Sequence, residues 1–314
     1  MPTSSSSELE ELKKSINKLN GPDQKIKNAL SFHFIINPVS GINKKLKIVE
    51  QLKSQLKNEV NYGISFTEKK SHATTIAREA IERNVDAVVA VGGDGTVSEV
   101  AKALVNSSVA LGIIPCGSGN GFARHLNIPL DSSKAIEALL QFDVQKVDTV
   151  NVNNDVFIAF AGFGFDALIS HKFNQSKQRG FLSYLQLSVS EFFSYKTQQF
   201  KLVVDGKKID REAFLITIAN VGQYGNNAWI APKASLNDGQ LDVCIIKPFL
   251  PHQAPDIIFK LLNKQLHTSE YYEHLRAKSI KVIRPKRFHL DGESMMSDED
   301  LDISIAPDSL KVIC

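Results

Sequence analysis

Apolar residues in the first half of the chain occur in short uninterrupted runs, separated by longer stretches in which they recur every three or four positions. Residues 87–91 form one such run, which is typical of a strand buried on both faces. A stripe at helical spacing follows, with Thr96 or Ser98 placed to cap the helix. The same alternation predicts strands at 32–36, 62–67 and 109–114, and helices at 44–57, 72–83 and 135–142. Strands that alternate with helices imply a parallel sheet.

After about residue 148 the pattern changes to short strands joined by tight turns. A turn at 153–155 separates predicted strands at 146–152 and 156–161, and Asp205-Gly206 separates predicted strands at 200–204 and 209–218. Further elements are predicted as strands at 241–246, 279–283 and 302–305 and as helices at 182–193 and 257–264. The sequence therefore predicts an α/β domain at 30–148 and an antiparallel, all-β domain at 149–305.

The N-terminal stretch 1–29 stands apart from these domains. Residues 1–7 are rich in serine. Residues 8–19 form one helical stripe with the apolar residues Leu9, Leu12, Ile16 and Leu19. That stripe fits either an extra helix packed on the body of the protein or a weak surface anchor.

Composition narrows the class of protein. The chain has 314 residues, 43% hydrophobic and 23% charged, which is ordinary for a soluble globular protein of two domains. A formal net charge of +3 is too small to indicate a nucleic-acid partner. The three cysteines lack metal-ligand spacing, and no apolar run is long enough to span a bilayer. We expect a cytoplasmic protein without a transmembrane segment, free to associate peripherally with a membrane.

Turns rich in glycine and small polar residues follow three of the predicted parallel strands. They are Asn-Pro-Val-Ser-Gly at 37–41, Gly-Gly-Asp-Gly-Thr at 92–96 and Gly-Ser-Gly-Asn-Gly at 117–121. In open α/β sheets such strand ends face one crevice, and backbone amides at a helix N terminus attract anions. The alternative for each turn is a simple connection, with Asp94 as a capping group. Neither a Walker loop nor a dinucleotide fingerprint is present.

Two further turns carry oxygen ligands. Asp291-Gly292-Glu293 places two carboxylates beside a strand-like segment, where one could accept a proton from an attacking hydroxyl. The turn at 237–240, just before a predicted strand, could hold a hard cation. On local evidence alone, an ordinary exposed turn is the favoured interpretation of each. His72, His125 and His289 form no ligand pattern and are interpreted as surface or packing residues.

Taken in order, the motifs at 37–41, 92–96, 117–120 and 291–293 resemble those of the diacylglycerol kinase catalytic-domain family, which includes bacterial lipid kinases and the sphingosine and ceramide kinases. The resemblance extends from about Phe32 over nearly the whole chain. It implies a three-layer α/β nucleotide-binding domain, a β-sandwich domain with a lipid pocket, and ATP in the cleft between them. It also implies that residues 306–314 return to the first domain.

Carried over motif by motif, the resemblance makes Asp291 the general base for a lipid hydroxyl, with Glu293 beside it. Asp94 would help to position the Mg²⁺-nucleotide, Asn120 belongs to the third motif, and Asp148 resembles an acidic position of the family's active-site network. The implied ATP contacts are Asn37, Ser40, Gly92, Gly93, Asp94, Gly95, Thr96, Glu99, Gly117 and Ser118. The implied structural Mg²⁺ turn has the ligands Ser235, Asp238 and the carbonyl of Gln240.

The third motif departs from the usual bacterial pattern. Bacterial members usually read Gly-Thr-x-Asn-Asp there, whereas this chain has Ser118 and Gly121. The missing carboxylate argues against a full acidic network, and the Gly-Ser-Gly-Asn form is more similar to the sphingosine kinases. The resemblance therefore leaves the lipid acceptor open.

The expected function is an ATP-dependent lipid kinase that phosphorylates a hydroxyl of diacylglycerol, a sphingoid base or a similar lipid taken from a membrane surface, as in phospholipid biosynthesis. A homodimer is one candidate assembly. An NAD-kinase-like enzyme shares Gly-Gly-Asp-Gly-Thr, but the motifs at 37–41 and 291–293 argue against it. A non-catalytic regulator that binds lipid or nucleotide is the other alternative, and the presence of Asp94 and Asp291 argues against that one.

Overall fold

The computed structural model of the protein describes residues 29–38, 42–56, 60–176 and 180–314. The predicted N-terminal helix at 8–19 and the predicted site residue Ser40 lie outside these described residues.

The described chain divides into two compact units. The first holds the described residues up to Gly117, together with Leu126–Lys146 and the C-terminal Leu310–Cys314. The second holds Ser118–His125 and Val147–Ser309. The chain therefore enters the second unit briefly at Ser118–His125, returns to the first, forms the rest of the second unit from Val147, and re-enters the first at Leu310.

Parallel strands form the sheet of the first unit. They are β1 (Ser31–Ile36), β2 (Asn61–Phe66), β3 (Ala87–Gly92) and β4 (Ala110–Pro115). They lie in the order β2-β1-β3-β4, and every neighbouring pair is parallel. The helices along this part of the chain are α1 (Ile42–Gln55), α2 (His72–Glu82), α3 (Asp94–Leu104), α4 (Gly121–His125, within the second unit) and α5 (Ser132–Gln141). The predicted α/β fold class is confirmed.

The apolar pattern accounts for the core of the first unit. All six residues of β3 and all six of β4 are buried, as expected for strands covered on both faces. Phe32 and Phe34 of β1 pack in one cluster with Leu52 of α1 and Ile136 of α5. Ile313, from the returning C-terminal segment, belongs to the same cluster.

The second unit contains two sets of antiparallel strands. One set comprises β5 (Val144–Val152, in this unit from Val147), β6 (Asp155–Phe157), β8 (Gln198–Val204), β9 (Lys207–Ala213), β13 (Ser279–Val282) and β16 (Leu301–Ile313). The other comprises β7 (Phe160–Gly164), β10 (Leu215–Ala219), β11 (Leu241–Ile246), β12 (Tyr272–Ala277), β14 (Lys286–Leu290) and β15 (Glu293–Ser297). The helices are α6 (Phe165–Gln175), α7 (Phe181–Phe192) and α8 (Ala254–Leu262).

One apolar cluster joins these two sets. Phe200 of β8 and Ile280 of β13 share it with Phe163 of β7 and Val243 of β11. The second unit is therefore a sandwich of antiparallel sheets, as predicted. The C-terminal end of β16 belongs to the first unit, where Val312 pairs in parallel with Leu111 of β4.

The predicted cap of α3 is wrong. The helix begins at Asp94, with Gly93 in the N-cap position and no side-chain capping bond. Thr96 and Ser98 lie inside the helix and are buried. Because glycine is itself tolerated at this position, the turn needs no hydroxyl cap.

Two predicted strands are each split between the two sheets. The predicted strand at 156–161 breaks after β6, and its continuation is β7 in the other sheet. The predicted strand at 209–218 breaks at Phe214, between β9 and β10, which also belong to different sheets. An alternating pattern continues through a change of sheet, because both sheets bury their apolar faces in one core.

The sequence also missed several elements. Helix α6 and strands β12 and β15 were not predicted, and β16 extends well beyond the predicted 302–305. Pro307 lies within β16, where the residue types do not favour a strand.

Candidate active site

Two of the predicted turns meet in the first unit, where the order of the strands reverses. In the order β2-β1-β3-β4 this switch point lies between β1 and β3, which is where open α/β sheets bind ligands. Asn37 follows β1, and its amide N–H donates to Val91 O at 3.3 Å. The Asn37 side chain donates from Nδ2 to Thr96 Oγ1 at 3.3 Å. Asn37 therefore joins the end of β1 to the β3–α3 turn.

The third turn approaches the same place. Cys116 N donates to Gly92 O at 2.7 Å, and a Cβ on Gly93 would lie 3.1 Å from the Cα of Gly117. Gly92 has no room for a side chain either, since its Cβ would lie 2.5 Å from Thr96 Oγ1. Gly95 is exposed, and a Cβ there would meet no other atom within 4 Å. The glycines thus bring the backbones together and leave the start of α3 open, which suits an anion such as phosphate.

The acidic residues near this turn have different surroundings. Asp94 is half-buried in the first turn of α3. Glu99 faces the start of α2 instead, where Oε1 accepts from Ser71 N at 3.0 Å and Oε2 accepts from Ala73 N at 3.1 Å. Both Glu99 oxygens therefore cap α2, whose own N-cap residue makes no side-chain bond.

Asp291 is held by the backbone of the second unit. Its Oδ1 accepts from Ala159 N at 2.9 Å and Phe160 N at 3.1 Å, and its Oδ2 accepts from Ile158 N at 3.0 Å. Its own N–H donates to Phe160 O at 2.8 Å. These bonds occupy the amides at the point where the predicted strand 156–161 breaks. The carboxylate therefore orders this crossing between sheets as well as being a candidate base.

Side chains from α6 hold the turn that follows Asp291. Gly292 O accepts from Ser170 Oγ at 2.7 Å and from Asn174 Nδ2 at 3.1 Å, and Gly292 N donates to His289 Nδ1 at 3.1 Å. The turn uses positive φ angles of 49° at Asp291 and 81° at Gly292. Glu293 is half-buried and begins β15 directly after it.

His289 belongs to a buried network that the sequence did not reveal. His289 Nε2 lies 3.0 Å from Asp166 Oδ2, and both side chains are buried. The carboxylate also accepts from Tyr184 OH at 3.3 Å and Tyr224 OH at 3.1 Å. Burial acts to raise the pKa of Asp166, but His289 and the two tyrosine hydroxyls outweigh it and lower that pKa. Burial acts to lower the pKa of His289, but the charge of Asp166 and its hydrogen bond to the ring outweigh burial and raise that pKa.

Asp148 has a different set of partners within the second unit. It is buried, with Oδ2 accepting from Gly239 N and Oδ1 from Asp308 N, both at 2.9 Å. It therefore fixes the turn at 237–240, which carries two of the three predicted Mg²⁺ ligands.

The side chains that would bind Mg²⁺ at this turn already have partners within the protein. Asp238 Oδ1 accepts from Gln240 N at 3.1 Å, and Asp238 Oδ2 pairs with Arg276 Nη2. Ser235 Oγ donates to Asn237 Oδ1 at 2.8 Å. The guanidinium of Arg276 thus supplies the positive charge beside Asp238. As arranged, these side chains do not fit a Mg²⁺ ion, which would have to displace Arg276.

The unusual Gly121 has a structural explanation. A Cβ at this position would lie 2.7 Å from Gln223 O and 3.1 Å from Tyr224 O. Asn120, beside it, is buried with a φ of 54° and forms an isolated antiparallel bridge with Gly225. An aspartate at this position would therefore not fit without a shift of the backbone.

Comparisons with known proteins agree with this architecture. Residues 31–152 match the family described as "Diacylglycerol kinase catalytic domain", and residues 159–314 match the family described as "YegS C-terminal NAD kinase beta sandwich-like domain". An uncharacterised protein of Synechocystis is 30% identical over 300 residues, which cover 89% of this chain and 69% of that protein. A diacylglycerol kinase of Mycobacterium tuberculosis is 27% identical over 296 residues, or 89% and 93% of the two chains.

Solved structures share the fold. A crystal structure of a diacylglycerol kinase from Bacillus anthracis aligns with a TM-score of 0.68 at 24% identity, covering 92% of this chain and 98% of that one. Another crystal structure from the same organism gives 0.74 at 23% identity, covering 93% and 97%.

The two units and the ordered glycine motifs define a protein of the diacylglycerol kinase-like lipid kinase class. The chain belongs to the diacylglycerol kinase catalytic-domain family, with a YegS-type C-terminal domain. The family resemblance found in the sequence is confirmed. Within the described part of the chain, no helix is long and apolar enough to cross a membrane.

Proposed function

We propose that the protein transfers the γ-phosphoryl group of ATP to a hydroxyl of diacylglycerol, a sphingoid base or a similar lipid. The observation that carries this proposal is the meeting of three strand-end turns at the switch point of the first unit, through Asn37, Gly93 and Gly117. An amide-lined corner without a Walker lysine can bind phosphate groups through its backbone. ATP bound there with Mg²⁺ would supply the phosphoryl group.

The residues of the chain would act on the lipid hydroxyl and on the phosphates. Asp291, oriented by three backbone amides, would take the proton of the lipid hydroxyl, and Glu293 would support it. The lipid oxygen would then form a bond to phosphorus as the bond to the ADP oxygen breaks. Asp94 would position the metal, and the amides at the start of α3 would stabilise the phosphate charge.

A phosphotransfer screen tests this function. The purified chain is incubated with labelled ATP, Mg²⁺ and detergent micelles that contain dioleoylglycerol, sphingosine or ceramide, and a parallel reaction contains NAD. We expect label on one of the lipids. Label on NAD alone would support the NAD-kinase-like alternative. Binding of ATP or lipid without transfer would indicate a non-catalytic regulator.

Variants of the carboxylates test the mechanism in the same assay. Glu293→Gln and Asp291→Asn should each lower kcat by roughly a hundredfold or more, the contribution typical of acid–base groups. Asp291→Asn should also lower the Tm, because its amide group would face backbone N–H donors. Asp298→Asn, at an exposed position of the same segment, is the matched control and should retain activity. Full activity of Asp291→Asn would exclude its role as the base.

The Mg²⁺ turn yields a separate prediction. Because Arg276 and a cation would compete for Asp238, Mg²⁺ should raise the Tm more in Arg276→Gln than in the wild type. Thermal unfolding with Mg²⁺ and with a chelator measures this difference. The same response in both proteins would exclude the ion from this turn.

The lipid acceptor would be taken from a membrane surface by a protein that resides in the cytoplasm. A homodimer remains a prediction, and sedimentation of the purified chain tests it.

A further inference from the structure

The buried pair of Asp166 and His289 has no part in the mechanism above. Strand β7 nevertheless has a glycine at the position that contacts both side chains. Gly162 of β7 lies against both side chains, and a Cβ there would overlap His289 Nε2 and lie 2.5 Å from Asp166 Oδ2. Any residue larger than glycine at 162 would push the pair apart. The position of the pair is therefore specified from three elements: β7, β14 and α6.

Hydrogen bonding determines which nitrogen of His289 carries the proton. Nδ1 lies 3.1 Å from Gly292 N, which is a donor, so Nδ1 must accept and bears no hydrogen. The proton of the ring is therefore on Nε2, where it is donated to Asp166 Oδ2. Tyr184 and Tyr224 donate to the same carboxylate and keep it an acceptor. With a neutral imidazole, these hydrogen bonds have one consistent arrangement of protons.

We propose that Asp166 and His289 are positioning residues for the Asp291–Glu293 turn: Asp166 keeps the proton of His289 on Nε2, and His289 Nδ1 then holds the amide of Gly292. This inference rests on the proposed function, because it assigns the turn to catalysis.

The contacts of Gly292 explain why the Asp291–Glu293 turn would need positioning residues. Gly292 separates the two acidic residues, and its φ is 81°, in a region that glycine shares with other accessible conformations. Its N–H is held by His289, and its C=O is held by Ser170 and Asn174 of α6. A shift of the turn would move both carboxylates, and displacements of about 1 Å can lower a rate roughly a hundredfold.

Asp166→Asn is the first test. The asparagine can donate its Nδ2–H to His289 Nε2, which would move the ring proton to Nδ1, facing the Gly292 N–H donor. We expect kcat to fall roughly a hundredfold while the KM for ATP stays within about twofold, since ATP would bind the first unit.

Two substitutions of His289 separate its two contacts. Asparagine can place its oxygen where Nδ1 lies and so keep the bond to Gly292, whereas glutamine can place its amide where Nε2 lies and so keep the bond to Asp166. We expect His289→Asn to retain more kcat than His289→Gln. The reverse order would overturn the proposal.

A second His–Asp pair in the same unit supplies the matched control. His274 Nε2 lies 2.5 Å from Asp242 Oδ1, with Asp242 buried on β11. Asp242→Asn removes the same kind of interaction without a bond to the Asp291–Glu293 turn, so we expect it to lower the Tm and leave kcat unchanged. An equal loss of kcat in Asp242→Asn and Asp166→Asn would show that Asp166 acts only through stability.

Two readouts do not depend on activity. Nitrogen NMR of histidine-labelled wild type should show His289 protonated on Nε2, and hydrogen exchange at Gly292 should accelerate in Asp166→Asn. A wild-type ring with its proton on Nδ1, or unchanged exchange, would overturn the inference even if the enzyme is active. If the wild type phosphorylates no lipid, the proposed function fails, while these two measurements still decide whether the pair holds the turn.

Discussion

Backbone amides surround three carboxylates that the sequence associates with the active site. Glu99 accepts from Ser71 and Ala73, Asp148 from Gly239 and Asp308, and Asp291 from three successive residues. At the scale of single residues, an acidic position in a motif can therefore organise the fold, bind a substrate, or do both. Substitutions at these positions need a measurement of stability beside the measurement of activity.

Glu99 provides the clearest test of that distinction. Glu99→Gln would place an amide donor against one of the backbone N–H groups of α2, so we expect a loss of about 1 kcal/mol in the free energy of unfolding. Denaturant titration measures it, with Glu82→Gln, at an exposed position of α2, as the control. An increase in the KM for ATP without loss of stability would instead identify Glu99 as a nucleotide contact.

His33 makes the stability of the first unit depend on pH. Burial, and then Arg83, lowers the pKa of His33 to about 4, with Glu79 opposing. Because the folded pKa is below the ordinary 6.5, the unfolded chain binds this proton first as the pH falls. The contribution of His33 to stability is therefore complete above pH 6.5 and is lost between 6.5 and about 4.

The corresponding variant is His33→Gln, which can keep the hydrogen bond that His33 Nε2 makes to Ser65 Oγ at 2.9 Å. From near pH 7 to near pH 4, the wild type should lose about 3 kcal/mol more free energy of unfolding than the variant. His267→Gln, at an exposed position, should follow the wild type. Parallel pH profiles of wild type and His33→Gln would contradict this assignment.

At the scale of elements, helices α7 and α8 expose apolar side chains. Phe193, just after α7, is 76% exposed, and Phe259 of α8 is 60% exposed. Phe192, the last residue of α7, stacks on Phe249, which precedes α8 in the chain, with the ring centroids 5.8 Å apart. If the acceptor is a membrane lipid, as proposed, we expect these side chains to contact the lipid surface.

The double variant Phe193→Ser/Phe259→Ser tests that assignment by vesicle co-sedimentation. Burial of one such side chain contributes about 1.5–3 kcal/mol, so vesicle binding should weaken by at least about tenfold. Leu130→Ser, which alters a 39% exposed leucine of the first unit, should bind as the wild type does. Loss of self-association, with vesicle binding unchanged, would show that a second copy covers these residues instead.

At the scale of the whole molecule, the chain completes its first unit with its last five residues. Leu310, Val312 and Ile313 are almost fully buried there. Ile313→Ala should cost about 2–5 kcal/mol in the free energy of unfolding, as for other large apolar residues in a core. The neighbouring Lys311→Ala should cost far less, because that side chain contributes one hydrogen bond, to Ser108 O. Equal losses, measured by denaturant unfolding, would show that the returning segment adds little.

Sequence alone was sufficient for the parallel α/β unit. Its central strands β3 and β4 are almost uniformly apolar and its helices have a helical stripe, and both signals arise from neighbours along the chain. The ordered motifs at 37–41, 92–96, 117–120 and 291–293 were likewise sufficient to identify the family. Short-range patterns carry this information because local geometry and burial determine which residue types a strand, helix or turn accepts.

Only the tertiary structure decided where the chain changes sheet and how the acidic turn is supported. The strand predicted at 156–161 breaks because its amides bond to Asp291, more than 130 residues later. His289 belongs to no recognisable motif, because its partner Asp166 lies on α6, far from His289 in the sequence. Gly121 and Gly162 are explained only by backbone or side chains that approach them from elsewhere. Such contacts join residues distant in sequence, and no local pattern records them.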